Sequence, residues 1–206
     1  MENITAAELR RFGPIFEPIP SFDNEGDQDF TEQDLDPGYV PTKIYSIARA
    51  ALVRTCADGL VTCLNEKKER GILLITRQGD PAKGQLWSIG GGIPRGIVGP
   101  REALNANAQR ECGLKLSDHV YLGAMDFAWA TTPFEVEAVS KGIRDTGLMY
   151  YAHGTGNLRF GDLDNEPLIV TPEMWEHRQG KLNALHPYID KNLEKAMTLL
   201  VDDFYG

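Results

Sequence analysis

The chain contains no run of about eighteen apolar residues, the length a membrane-crossing helix needs, and residues 1–11 lack the apolar core of a secretion signal. Cysteine is scarce. Cys56, Cys63 and Cys112 are odd in number and show no C-x-x-C spacing, which argues against both a disulfide framework and a zinc site and leaves three thiols. His119, His153, His177 and His186 have no ligand spacing either; only His153, in the glycine-rich run A-H-G-T-G-N, sits where loops carry function. There is no G-x-x-x-x-G-K-[ST] phosphate loop, no G-x-S-x-G nucleophile elbow and no internal repeat. Basic residues are outnumbered, and the net charge of −9 disfavours nonspecific binding to nucleic acid or to anionic membranes, which are themselves negative. These absences make a cytoplasmic protein the default expectation.

What is present fits a globular chain. At 206 residues, 42% hydrophobic and 25% charged, the sequence supports one domain with a substantial core. It divides into an N-terminal acidic, partly extended arm, 1–42, and a domain, 43–206. Between Ser21 and Asp36 stand seven acids and no base, the composition of a solvated segment. Before it, Thr5-x-x-Glu8 reads as a capping box for a short helix ended by Gly13-Pro14. Phe12, Ile15, Phe16 and Ile19 then offer an apolar set for docking on the domain, for packing locally, or for contact with a second subunit, so a homodimer stays open.

From Lys43 the pattern is regular. Residues 44–55 are rich in β-formers, Asp58-Gly59 signals a hairpin turn before a strand at 60–64, and 65–70 is a charged loop. Residues 71–77, G-I-L-L-I-T-R, form a continuous apolar strand buried on both faces. Strands are expected again at 120–130, 147–152 and 169–170, the last running into a helix with Thr171 as N-cap and Pro172 at its first position. The final segment, from Pro187, repeats apolar residues at Ile189, Leu193, Ala196, Met197 and Leu200, an amphipathic helix. Trp87, Phe127, Trp129 and Tyr151 are aromatics that either stack a base, line a sugar pocket or fill the core.

The most informative stretch is 87–114, W-S-I-G-G-G-I-P-R-G-I-V-G-P-R-E-A-L-N-A-N-A-Q-R-E-C-G-L. Three glycines precede a helix expected over 100–112. Pro100 has its fixed φ at the first position, Glu102 lies in the first turn where the dipole favours negative charge, and Gly113 accepts the positive φ of a stop. Positions 107, 110 and 111 share one face of that helix. They are Asn, Arg and Glu.

This segment resembles the signature of the Nudix family, G-x5-E-x7-R-E-U-x-E-E-x-G-U, where U is aliphatic. The ungapped match runs from Gly92 to Gly113 and Leu114, aligns Trp87, the Gly91-Gly92 pair and Pro100-x-x-Ala103, and places Val98, Ala106, Asn107 and Arg110 where the family has Glu, Arg, Glu and Glu. A second register through Gly96, Glu102, Arg110 and Glu111 fits the first half but then needs a deletion. The strand 71–77 ending in Arg77, and the loop into Trp87, extend the resemblance over 44–114.

The resemblance implies an α+β fold, a Nudix-like α/β/α sandwich with a mixed β-sheet, and a diphosphate site. On it Glu111 is the surviving catalytic carboxylate and metal ligand, with Arg77, Trp87, Gly91, Gly92, Asn107 and Arg110 around the substrate. The family's face of three carboxylates becomes formally neutral here, and at an effective dielectric of about 20 a unit charge about 4 Å from a divalent ion is worth roughly 8 kcal/mol before screening. Magnesium is therefore disfavoured on this face, and Arg110 is cast as a substitute cation able to grip phosphate directly. Three readings remain: a protein that binds a nucleotide, nucleotide sugar or other diphosphate compound with little or no metal-dependent hydrolysis, an active hydrolase using Mg or Mn at a non-standard site, or a purely structural, homodimeric interaction module.

Overall fold

The computed structural model describes residues 5–7, 10, 52–79, 82–94, 97, 99–129, 143–160, 167–178 and 180–205. The acidic run 21–36, the apolar set Phe12 to Ile19, Glu8 of the capping box, residues 44–51, Gly96 and Val98 lie outside them. Among the described residues seven strands, β1 (Arg54–Leu64), β2 (Arg70–Thr76), β3 (Leu86–Trp87), β4 (Ile89–Gly92), β5 (Lys115–Trp129), β6 (Ile143–Thr155) and β7 (Pro167–Val170), form one sheet. Its main path is β3-β2-β1-β6-β5, with β4 paired to β1 and β7 to β2. β1 and β6 run parallel and the other pairs antiparallel, so the sheet is mixed.

Among the described residues the helices α1 (Gly99–Cys112), α2 (Pro172–His177) and α3 (Pro187–Phe204) accompany it. Because successive strand residues point to opposite faces, β1 sends Ala57 and Val61 towards α1 and Leu60 towards α3. On the first face Ala103, Leu104, Ala108 and Cys112 pack against β1 and its neighbours. On the second, Tyr188, Ile189, Leu193, Met197 and Leu200 of α3 cover Leu60, Ile72, Leu74, Met149 and Tyr151. The result is the sandwich of helices and mixed sheet that the sequence implied. Ala6 is buried in the α3-side core, and Arg10 pairs with Asp202 and Asp203 at the end of α3.

Local signals mostly held. α1 starts one residue before Pro100 and stops at Gly113, whose φ is +73°. Thr171 caps α2, its hydroxyl accepting from the Met174 N–H at 3.3 Å, and α3 begins at Pro187. β2 is buried from Gly71 to Ile75, as a doubly covered strand should be.

The hairpin at Asp58-Gly59 is not there. β1 passes through both residues without a break, because they are paired with Gly90 and Ile89 of β4 on one side and Met149 and Tyr150 of β6 on the other. Gly59 lies under Leu104, whose methyls would be 2.9 Å from any Cβ there. Turn propensity is overridden by two ladders and a helix contact. β5 and β6 also run longer than expected, to fifteen and thirteen residues, and His153 is inside β6 instead of in a turn.

Candidate functional site

A cavity of about 200 Å³ lies at one end of the sheet, lined by Arg54, Cys56 and Asp58 of β1, Asp145 of β6, Arg77 after β2, Gly90 and Gly91 of β4, and the rings of Trp87, Phe127 and Trp129. Arg54, Cys56 and Asp58 are alternate residues of one strand and share the face that carries α3. The parallel register sets Arg54 opposite Asp145, and their side chains pair at 3.4 Å.

Asp58 is 7% exposed. Its Oδ2 accepts the Tyr188 hydroxyl at 3.1 Å, a contact that needs Gly147, since a Cβ at that position would stand 2.7 Å from the Tyr188 oxygen. Burial pushes the Asp58 pKa up to about 7, against the opposing effects of the Tyr188 hydrogen bond and the charges of Arg77 and Arg54. The same pair raises the Tyr188 pKa, chiefly by burial and then by the Asp58 charge.

Arg77 has its guanidinium carbon 5.4 Å from the Trp87 ring centre. Burial lowers its pKa while Asp58 pulls the other way, yet no carboxylate among the described residues forms an ion pair with it. The aromatic wall is closely knit: Phe127 and Trp129 stack with centres 5.3 Å apart and planes 14° apart, and Trp87 lies 5.8 Å from both Trp129 and Tyr188. His186, which caps α3 by accepting from the Tyr188 N–H, closes the group 5.3 Å from Trp87.

Gly90 joins this cavity to α1. Its φ is +143°, and a Cβ would fall 2.3 Å from the Ala57 carbonyl oxygen, so the position admits glycine alone on two counts. Its N–H donates to Glu111 Oε2 at 3.3 Å, and Arg110 donates to Glu111 Oε1 at 2.8 Å. Burial raises the Glu111 pKa and these two hydrogen bonds oppose it. Asn107 is 3% exposed, and its amide nitrogen has no hydrogen-bond partner among the described residues; it lies on the α1 side of Gly91, 3.6 Å from where a Cβ would stand.

The expected site residues therefore divide. Arg77, Trp87 and Gly91 line the cavity; Gly92, Asn107, Arg110 and Glu111 do not. Arg110 is 67% exposed, with one guanidinium nitrogen on Glu111. Tyr151, grouped with the stacking aromatics by sequence, is in the core and donates to Asp203 at 2.8 Å. His153 also lies away from the cavity, between Asp203 at 2.8 Å and Asp118 at 3.3 Å. The thiols are buried, and burial raises the pKa of Cys63 to about 12 and of Cys112 to about 11. Sequence reasoning missed Arg54, Asp58 and Asp145. The period-two stripe 54, 56, 58 was the signal, hidden by reading Asp58 as a turn residue.

A magnesium ion held as in the family would need several oxygen ligands on the α1 face. Asn107, Arg110 and a Glu111 already occupied by Gly90 and Arg110 do not fit that role. Among the described residues no three His, Cys, Asp or Glu side chains are grouped to hold a metal. Nor, among them, is any helix long and apolar enough to cross a membrane.

No protein-family model matches the sequence, and no curated protein matches it. Solved structures do. The Nudix domain of NrtR from Shewanella oneidensis, solved in complex with ADP-ribose, superposes with a TM-score of 0.51 at 13% identity over 83% of this chain and 99% of that one. The chain has the Nudix fold. Other matches include the Nudix hydrolase RenU of M. smegmatis (TM-score 0.49, 15% identity, 72% of this chain and 86% of that one) and a MutT Nudix hydrolase of Burkholderia pseudomallei (0.47, 19%, 70% and 98%). At such identities the likeness speaks for the Nudix fold and leaves the chemistry to the residues.

Proposed function

We propose that this Nudix-fold chain binds a nucleoside diphosphate derivative, a nucleotide or nucleotide sugar, and that metal-dependent hydrolysis is weak or absent. The observation that carries the reading is Arg77: a guanidinium withdrawn from water into a cavity, stacked on Trp87 and unpaired by any described carboxylate. Burying a charge without a direct ion pair is costly, so an anionic ligand group is its natural complement. Arg54 adds a second guanidinium already oriented by Asp145, and Trp129 and Phe127 offer aromatic surface to a ring next to it. A cavity of about 200 Å³ takes one end of such a ligand, leaving the rest to extend past Gly91.

In this reading Arg110 serves Glu111, and Asn107 supplies a polar group behind Gly91 that carries no charge for a metal. The rival reading, an active hydrolase with Mg or Mn at a non-standard site, draws on Asp58 and Asp145, two carboxyls in the cavity. Against it, Asp145 is taken by Arg54 and burial favours the neutral form of Asp58.

The test is titration calorimetry of ADP-ribose and related nucleoside diphosphate sugars against wild type and Arg77→Ala in EDTA. A charge-assisted hydrogen bond contributes about 1.5 to 3 kcal/mol, so the variant should bind roughly ten- to a hundredfold more weakly. Unchanged affinity in a folded Arg77→Ala variant would remove Arg77 from the site.

A further inference from the structure

Asp58 presents an oxygen that the fold leaves unused. Tyr188 holds Oδ2, while Oδ1 has no hydrogen bond among the described residues, and the residue lines the same cavity as Arg77. The groups that bear on its charge come from several elements: Arg54 on β1, Arg77 beyond β2, Glu111 on α1 and Tyr188 on α3, while Cys56 on β1 and Asp145 on β6 line the same cavity. Two of these are cations, and one, Arg54, is already committed to Asp145.

An anion entering beside Arg77 changes that balance. It takes the guanidinium that helped to hold a negative Asp58, brings negative charge of its own, and excludes water from the remaining oxygen. All three effects favour the neutral carboxyl. A neutral carboxylic acid can also do what a carboxylate cannot, which is to donate a hydrogen bond.

We infer that Asp58 is a ligand-binding group that takes up one proton from solvent when the anion binds and, as a carboxylic acid, donates its O–H to a phosphate oxygen beside Arg77. The step is a simple protonation: a buffer acid gives up H⁺, the Asp58 carboxylate becomes COOH, and no bond in the ligand changes. The cavity thereby selects for groups that only accept hydrogen bonds, such as a disubstituted diphosphate, over groups that only donate. Its working range is set by a carboxyl poised near neutrality in the free protein. The inference rests on Arg77 as the anion-binding residue.

The experiment uses ligands whose own phosphates do not titrate near neutrality, ADP-ribose and UDP-glucose, with the full chain. Calorimetry at about pH 8 in buffers of different ionisation enthalpy counts protons, and the affinity is followed from about pH 7 to 9. Wild type should take up close to one proton at the upper end, and its affinity should fall by up to about tenfold per pH unit above neutrality. Asp58→Asn, which keeps an acceptor for Tyr188 but cannot titrate, should bind with no uptake and a flat pH profile. Binding by wild type without proton uptake, or the same uptake in a folded Asp58→Asn variant, would overturn the inference while leaving diphosphate binding intact. Failure of both ligands to bind at any of these pH values would overturn both together.

Discussion

Replacing Asp58 by Asn gives a stability test that needs no ligand. The folded-state pKa of Asp58 is raised from 3.8 to about 7 by burial, so the folded protein holds this proton more tightly than the unfolded chain does. Stability from that group is fully present below about pH 4 and is lost as the pH rises through about 7, after which the loss is constant. The shift is about three units at 1.36 kcal/mol each, or roughly 4 kcal/mol of pH-dependent stability. Asparagine keeps the shape and an oxygen for the Tyr188 hydroxyl, so the variant should lose the pH dependence without losing the hydrogen bond. Urea unfolding of both proteins from about pH 4 to 8.5 reads the difference in unfolding free energy, and that difference should move towards Asn by roughly 4 kcal/mol across the range. A difference that stays constant with pH would refute the argument that burial governs this carboxyl.

Asn107→Glu with Arg110→Glu rebuilds three carboxylates on the α1 face and should create measurable Mg²⁺ or Mn²⁺ affinity by calorimetry; no gain in a folded variant would mean that the ungapped register or the loop geometry is wrong. Arg110→Ala removes an exposed guanidinium paired with Glu111 and should change the affinity of a confirmed diphosphate ligand by less than about fivefold, the range of an exposed ion pair. A tenfold or larger loss would return Arg110 to the ligand. Gly90→Ala drives a methyl into the Ala57 carbonyl and the Asp58 backbone, so thermal unfolding should show a loss of at least about 2 kcal/mol, and a neutral effect would contradict the local geometry.

The parts of this molecule that could be read in advance are those whose signals are local. Pro100 and Gly113 bracket α1, Thr171-Pro172 opens α2, and the apolar spacing from Ile189 to Leu200 marks α3, because caps and helical periodicity act within a few residues. The glycine triplet and Trp87 were expected to form a loop before α1; instead they lie in strands β4 and β3, the triplet paired to β1. The cavity was not readable in that way. Its charges come from β1, β6 and the end of β2, and they meet only because β1 and β6 pair in parallel register and Gly147 admits the Tyr188 hydroxyl. Asp58-Gly59 has the composition of a turn, and nothing nearby in sequence says that two strands will flank it. Asn107, Arg110 and Glu111 do share a face as the helix spacing required, but that face abuts Gly90 and Gly91 from the side opposite the cavity.

The most direct test of metal-independent diphosphate binding is one titration series of wild-type protein with ADP-ribose and related nucleoside diphosphate sugars, run in excess EDTA and again in excess MgCl₂, with phosphate products followed in the same samples. The account requires that at least one ligand binds in EDTA, that its affinity is the same with magnesium, and that the ligand is recovered intact. Binding that appears only with magnesium, or rapid magnesium-dependent release of phosphate products, would contradict it.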